Sequence, residues 1–306
     1  MKKGFLDISF SWIFALIIGV VILFAAIYFV SQFSEVKDTQ NSAEIGTSLF
    51  NVLLPLETGV DSGKSTTITL PVNSRISHFC DNSGTFGRDT ISIQEFIRKK
   101  WTDTGVNISS KDRYLFLPRV LQGKEFYAFS KSYEFPFKIA NLVYIINANE
   151  TYCFSDAPRE IENELKNFNQ VNFKFDDCNS NGIEVCFDSG GDCDIEVNLN
   201  LRTVKKGNDI VYFEGNSLLY AATFSDKEIY ECELSRLMKR GGKLTELYQE
   251  KSLNLVKVGC DSSLKTEFSG LKSSFLSLEN SEDLFATARI VKEIGDANKY
   301  SECTLW

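Results

Sequence analysis

The stretch that decides the architecture is MKKGFLDISFSWIFALIIGVVILFAAIYFV, residues 1–30 of a 306-residue chain. Ile8 to Val30 form a run of 23 residues without a charged side chain. As a helix this run rises about 35 Å, enough to cross the roughly 30 Å hydrocarbon core of a bilayer. The run is longer than the apolar core of a secretory signal peptide, and bulky residues follow its last alanines. We therefore expect a retained transmembrane helix over residues 8–30.

The charges that flank this run set its expected orientation. Lys2 and Lys3 precede it, whereas Glu35, Lys37 and Asp38 follow with a net charge of −1. The positive-inside rule places the lysine-bearing end in the cytoplasm. We expect a single-pass protein of the cell membrane, with residues 1–7 cytoplasmic and the bulk of the chain extracytoplasmic.

The first residues also carry a family resemblance. Lys2-Lys3-Gly4-Phe5 ahead of an apolar helix resembles the signal of type IV pilin-like proteins and the archaeal class III signal. The resemblance implies that a peptidase cuts between Gly4 and Phe5, with Lys3 part of its recognition site, and that the remaining helix packs into a filament core. Ser9 departs from the pattern, because bacterial pilins usually carry Glu at that mature position. A plain uncut anchor is the alternative. The chain as a whole is also similar to archaeal envelope proteins, which implies no activity.

Composition limits the partners. The chain is 43% hydrophobic and 24% charged, with a net charge of −8. No block of basic residues stands out, so the sequence argues against nucleic acid, and its overall acidity argues against tight binding to an anionic lipid surface. The expected partners are the lipid bilayer and either protein partners or further copies of the chain, contacted through the N-terminal helix.

The cysteines are even in number and follow the apolar run. They are Cys80, Cys153, Cys178, Cys186, Cys193, Cys232, Cys260 and Cys303. In an oxidising compartment we expect all eight to form disulfides, with 105 pairings open and the three between 178 and 193 suited to a local bridge. Zinc fits poorly, because the cysteine spacings are wrong and His78 is the single histidine, which we expect in a strand.

Two further motifs concern the surface. Asn107 and Asn149 begin N-glycosylation sequons, which agree with an outside location. The second motif has the spacing of a calcium loop, with candidate ligands Asp177, Asn179, Asn181, Ile183 and Asp188. The alternative for this stretch is a turn between two strands, braced by Cys178 and Cys186. No other cofactor is expected.

The rest of the chain reads as α+β. Residues 31–46 suit a stalk or linker, and residues 47–224 suit a β-rich extracytoplasmic domain with one helix at SIQEFIRKKW, 92–101, and another at 156–168. Residues 225–306 carry three apolar stripes of helical period, typical of a helical bundle stapled by disulfides. Gly241-Gly242 is expected to kink or split the first of these helices.

No motif predicts catalysis. TGVDSGKST, 58–66, lacks the first glycine of a P-loop. Ser262-x-x-Lys265 and Ser269-x-x-Lys272 match S-x-x-K without its companion motifs, on a regular amphipathic helix. We therefore expect a structural protein that is not an enzyme: a pilin-like or cell-surface subunit. The alternative is an envelope receptor or a tethering subunit that binds a ligand or a partner protein.

Overall fold

A computed structural model describes residues 12–30, 65–175, 182–188, 193–260 and 264–306. Its first helix, α1, covers Trp12–Val30, 19 residues with a mean hydropathy of 3.0. Every described side chain of α1 is exposed. By length and composition α1 could cross a membrane, in agreement with the sequence prediction. The expected cleavage residues Lys3, Gly4 and Phe5 and the expected stalk over 31–46 lie outside the described residues.

Two six-stranded sheets make up the β-rich part. The first has the order β3-β2-β1-β5-β6-β4 and is antiparallel except between β4 and β6. Its strands are β1 (Ser65–Asp81), β2 (Arg88–Ile97), β3 (Lys100–Ser110), β4 (Leu115–Phe116), β5 (Val120–Glu134) and β6 (Lys138–Asn147). The register of β1 against β5 shifts between Thr69 and Ser74. Pro71 lies within this shift, where a residue without an N–H removes no ladder hydrogen bond.

The helix predicted at 92–101 is wrong. These residues form the end of β2, a two-residue loop and the start of β3. Ile93, Phe96 and Ile97 have a helix-like spacing, but burial alternates with a period of two, since Ile91, Ile93 and Glu95 all face the interior. The segment forms a strand because this conformation places Ile91, Ile93 and Glu95 on the buried face of the sheet.

The second sheet has the order β12-β11-β10-β9-β7-β8. Its strands are β7 (Tyr152–Ser155), β8 (Phe173–Phe175), β9 (Ile183–Phe187), β10 (Ile195–Asn198), β11 (Thr203–Lys206) and β12 (Asp209–Tyr212). Helix α2 (Arg159–Asn167) joins the parallel strands β7 and β8 and lies within the predicted range 156–168. Its buried residues Ile161 and Leu165 face the core as expected.

Four helices follow: α3 (Gly215–Phe224), α4 (Lys227–Lys257), α5 (Lys265–Ser277) and α6 (Leu284–Tyr300). The last three correspond to the three predicted stripes. Helix α3 was not predicted, because its residues from Ser217 to Phe224 are all buried and so it has no polar face. The predicted break at Gly241-Gly242 is wrong, since α4 runs through both glycines as a single helix of 31 residues.

Close packing explains why α4 carries two glycines. A Cβ on Gly241 would lie 3.0 Å from Phe275 Cε2 of α5 and 3.2 Å from Ile139 Cδ1 of β6. A Cβ on Gly242 would lie 3.1 Å from Leu276 Cδ2. The glycines thus let α4 approach α5 and the first sheet closely, and neighbouring packing keeps the helix continuous despite their low helix propensity.

One cluster of buried hydrophobic residues contains side chains from both sheets and from α2 to α6. Phe129 of β5, Tyr144 of β6 and Phe224 of α3 lie in it with ring centroids 5.1–6.3 Å apart. A second cluster lies on the other face of the first sheet and includes Ile76 and Ile91. The α+β class, with a β-rich middle, C-terminal helices and disulfides, is confirmed. The larger cluster includes side chains from both sides of the expected boundary at 224/225.

Candidate functional site

Four ionisable side chains meet inside the protein where α4 lies against β1 and β2. They are His78 of β1, Asp89 of β2, and Glu233 and Arg236 of α4. Each is at most 2% exposed. Buried charged groups are rare unless they are paired, so this cluster is the strongest candidate site among the described residues.

Regular periodicities bring these residues together. Along β1, Ile76 and His78 point to the same face, and along β2 so do Asp89 and Ile91. The antiparallel register pairs His78 with Ile91, so Asp89 lies diagonally across from the imidazole. In α4 the three-residue spacing puts the other two groups on one face, directed at the sheet.

The imidazole lies between two carboxylates. His78 Nε2 is hydrogen-bonded to Asp89 Oδ1 and lies 3.9 Å from Glu233 Oε1. Arg236 Nη1 donates to both oxygens of Glu233, at 2.9 and 2.7 Å. His78 Nδ1 and Asp89 Oδ2 are buried, and no described residue is hydrogen-bonded to them.

Arg236 also fixes the loops around the cluster. Its Nε donates to the carbonyl oxygen of Phe86 at 3.2 Å, and its Nη2 to that of Lys111 at 3.1 Å. Its guanidinium lies 5.0 Å from the centroid of the Tyr114 ring. A Cβ on Gly87, whose φ is +63°, would come within 2.9 Å of Arg236 Cγ, so this turn requires glycine. One buried side chain thus ties the β1–β2 turn and the β3–β4 loop to α4.

Burial governs the titration of the neighbouring groups. It raises the pKa of Glu233 well above its ordinary value, the nearby Asp89 carboxylate raises it further, and Arg236 opposes both effects. Burial also raises the pKa of Tyr114 to about 12, against the influence of Arg240 and Arg236. Burial therefore favours the uncharged forms of Glu233 and Tyr114 in this part of the interior.

A disulfide lies beside the cluster. Cys80, two residues after His78, is bonded to Cys232, next to Glu233. Cys232 therefore joins α4 to the first sheet and does not bridge two helices of the predicted bundle. The covalent bond and the ion network hold the same two elements together.

The other described cysteines are also bonded. Cys260 and Cys303 join the end of α4 to the segment after α6, as expected for a stapled bundle. Cys186 pairs with Cys193, which confirms the local bridge and overturns the alternative bracing by Cys178 and Cys186. Cys153 is disulfide-bonded too, while Cys178 lies outside the described residues.

The donor set of the cluster could in principle hold a metal ion, because ligand atoms of His78, Asp89 and Glu233 lie within 4.8 Å of one another. Histidine and carboxylates are common zinc ligands. Here, however, Arg236 already occupies both oxygens of Glu233 and would place a guanidinium next to the ion. The geometry therefore suits an internal ion network better than a metal centre.

The predicted calcium loop is described only in part, because Asp177, Asn179 and Asn181 lie outside the described residues. The N–H of Ile183 donates to the carbonyl of Thr151 at 2.8 Å, at the start of β9. Asp188 Oδ1 accepts the N–H of Leu199 at 3.0 Å. Asp188 thus braces the turn after β10, and the calcium site stays a prediction.

Both sequons lie at the surface. Asn107 is exposed on β3, the outer strand of the first sheet. Asn149 is exposed in the turn between β6 and β7, where its N–H donates to Asn147 Oδ1 at 3.0 Å. Both side chains are accessible to a modifying enzyme, and their glycosylation stays a prediction.

His78 lies in a strand, as its sequence context predicts, whereas its three partners were not predicted. Glu233 and Arg236 interrupt the apolar stripe of α4, and Asp89 continues the buried alternation of Ile91 and Ile93. Charged residues at apolar positions are the one local signal of such a cluster. The pairing itself joins positions about 150 residues apart and leaves no trace in sequence spacing. The chain matches no protein-family model, no curated protein and no solved structure.

Proposed function

We propose that the chain is a membrane-anchored, extracytoplasmic structural protein, a pilin-like or cell-surface subunit that presents its disulfide-bonded α+β part outside the cell. Helix α1 is the observation that carries the proposal: 19 residues, mean hydropathy 3.0 and no side chain buried against the protein. So large an apolar surface is unfavourable in water unless another surface covers it. A bilayer can cover it, because a helix satisfies its backbone hydrogen bonds internally and needs no water to do so.

The cysteines support the outward location. Cys80–Cys232 and Cys260–Cys303 are long-range disulfides, and such bonds persist in oxidising compartments. The positive-inside rule places the same part of the chain outside. Charge flanks and disulfide chemistry are independent arguments that agree.

The candidate site supports a structural role over a catalytic one. His78, Asp89 and Glu233 are buried. Arg236 donates hydrogen bonds to backbone carbonyls and to the carboxylate of Glu233. A catalytic histidine must reach a substrate. These polar groups instead connect two sheet strands, two loops and a helix.

The test uses the chain purified from its native membranes without reductant. Alkaline carbonate should leave it in the membrane pellet, and alkylation of intact cells before lysis should leave Cys80 and Cys232 unmodified because they are already bonded. Intact mass then reports the N-terminus: a start at Phe5 supports pilin-type processing, and a retained Met1 supports the plain anchor.

Sedimentation of the sheared, detergent-free surface fraction separates the structural role from its alternative. Large polymers are expected for a filament subunit, whereas an anchored monomer or dimer would favour a receptor or tethering subunit. A Val21→Lys, Ile22→Lys variant should lose carbonate resistance, and Val21→Leu should retain it. Release of the wild-type chain by carbonate, or free thiols at Cys80 and Cys232 in cells, would refute the anchored extracytoplasmic role.

A further inference from the structure

The end of the β2–β3 hairpin combines features that its position in the sheet does not require. Phe96 pairs with Trp101 and Ile97 with Lys100, which leaves Arg98 and Lys99 as a two-residue loop. β3 is the outer strand of the first sheet, so among the described strands the hairpin has a neighbour on the β2 side only. We refer to residues 96–101 as the hairpin tip.

The loop conformation is one that glycine or asparagine usually provides. Arg98 and Lys99 have φ values of +49° and +65°. Two-residue hairpin loops need positive φ at both positions, and Asn-Gly satisfies this at little cost. Two long cationic side chains here carry a strain that folding alone does not explain, a pattern typical of functional segments.

Aromatic rings lie directly behind the cations. The ring centroids of Phe96 and Trp101 are 5.0 Å apart, and Phe96 is 43% exposed. The guanidinium of Arg75, on β1, lies 4.3 Å from the Trp101 ring centroid. This stacking orients the indole beside a fourth cationic side chain, after Arg98, Lys99 and Lys100 of the hairpin tip.

The local charge opposes that of the whole chain. Within the hairpin tip there are three cationic residues and no acidic one, while the chain carries a net charge of −8. The nearest acidic residues along the hairpin are Glu95, which is buried, and Asp103, which accepts the N–H of Gly105 at 2.9 Å. The charges of Lys99 and Lys100, both of which are exposed, are therefore presented to the surroundings.

Strand direction places the hairpin tip at the end of the sheet where β1 begins. Ser74 of β1 lies opposite Glu95 of β2, and the two strands are antiparallel, so the tip extends from Ser74 toward the start of β1 at Ser65. The chain reaches Ser65 from α1, whose last residue is Val30. The tip and the start of β1, the part of the sheet that follows α1 in the chain, thus share a side.

We propose that the hairpin tip docks on an anionic bilayer surface, with Lys99, Lys100 and Arg75 facing lipid phosphates and Phe96 and Trp101 entering the headgroup region. Charge complementarity identifies the partner, because lysine and arginine near an anionic membrane attract its surface. Aromatic residues such as tryptophan favour the same interface. This inference rests on the proposed anchoring by α1 and adds a second contact that orients the outer part.

The expected effect follows from the charge count. Each cation near an anionic surface raises partition about fivefold, so reversing two of them lowers it at least about 25-fold. Salt screens such contacts, since the Debye length falls from about 10 Å at 0.1 M to about 3 Å at 1 M. The exposed Lys111, which follows β3 at the end opposite the hairpin tip, should not respond to lipid charge.

Lysine acetylation footprinting tests the proposal on the full chain. The chain is reconstituted by α1 into liposomes of pure phosphatidylcholine, or of phosphatidylcholine with 30% phosphatidylglycerol, and labelled briefly with an acetylating reagent. Mass spectrometry should show labelling of Lys99 and Lys100 severalfold lower in the anionic liposomes, restored by 1 M salt, with Lys111 unchanged. In a Trp12→Phe, Trp306→Phe variant, where Trp101 is the remaining tryptophan, quenching by brominated lipid should fall on Lys99→Glu, Lys100→Glu and persist in a Lys111→Glu, Lys174→Glu control.

Equal labelling in both liposomes overturns the hairpin proposal. Protection that depends on protein density but not on lipid charge also overturns it, and would assign the tip to a second copy of the chain. Liposome flotation separates the two hypotheses. If the chain floats with both liposomes and its labelling is equal in both, anchoring by α1 is supported and docking by the hairpin tip is refuted. If the chain does not float, anchoring by α1 is refuted.

Discussion

Adjacent glycines of α4 give the sharpest test of how the helices are packed. Replacing a helical glycine by alanine gains about 0.8–1 kcal/mol of helix propensity at either position. The added methyl groups meet different surroundings. At Gly241 the Cβ would press on Phe275 and Ile139, which are 1% and 2% exposed, at 3.0 and 3.2 Å. At Gly242 it would press on Leu276, which is 53% exposed and can turn away into solvent.

The two substitutions should therefore differ in sign. Over-packing a rigid core costs about 1–3 kcal/mol, so Gly241→Ala should lose up to about 2 kcal/mol net of the propensity gain. Gly242→Ala should keep most of that gain, so it should be more stable than wild type by up to about 1 kcal/mol. The expected gap between the variants is about 1–3 kcal/mol.

Urea unfolding of the full chain in detergent micelles, followed by circular dichroism at 222 nm, measures this gap. Each glycine serves as the control for the other, because the neighbouring positions share helix, burial class and propensity. Equal stabilisation of both variants would falsify the argument that Gly241 exists to admit Phe275 and Ile139. A larger loss at Gly242 would mean that Leu276 is held more firmly than its exposure indicates.

Three further predictions concern the charged groups and the long disulfide. A Cys80→Ser, Cys232→Ser variant should unfold with about 4–5 kcal/mol less free energy, because the bond closes a loop of 152 residues; unchanged urea midpoints under oxidising conditions would contradict this. Arg236→Met should lower the free energy of unfolding by about 3–5 kcal/mol, because it leaves Glu233 buried and unpaired. Arg289→Met, which breaks an exposed pair, should lower it by less than about 1 kcal/mol, and similar losses in the two variants would refute this prediction. Burial lowers the pKa of Lys206 to about 8 from 10.5, so the folded chain releases this proton first and the free energy of unfolding should rise between those pH values. Lys206→Met should remove that rise, and a rise of the same size in the variant would contradict the assignment.

The parts of the fold that sequence predicts are those with one buried face. Helices α5 and α6 and the alternating strand β1 show their period directly, and α1 is evident from apolar length. Helix α3 is buried all round and β2 has apolar residues at both spacings, so neither pattern is decisive. Packing against the rest of the protein determines that the first segment is a helix and the second a strand.

The candidate site was less predictable than the fold. His78 could be placed in a strand, but Asp89, Glu233 and Arg236 become its neighbours only through the sheet register and the docking of α4. The disulfide pairing has the same origin, since Cys80 and Cys232 meet because those elements meet. Long-range contacts of this kind depend on how elements pack, which spacing along the chain does not encode.

The Cys80–Cys232 bond also determines how the molecule would carry a mechanical load. A pull between the start of β1 and the distal half of α4 travels along β1 to Cys80 and crosses the sulfur atoms into α4. Residues 81–231, with most of both sheets, then lie outside the loaded path and keep their fold under tension. In a single-molecule stretching experiment, reduction of this bond should release roughly 500 Å of additional contour length from its 152-residue span. For a chain anchored by α1 as proposed above, this bond would keep a load applied from the membrane side off the part of the chain that it bypasses.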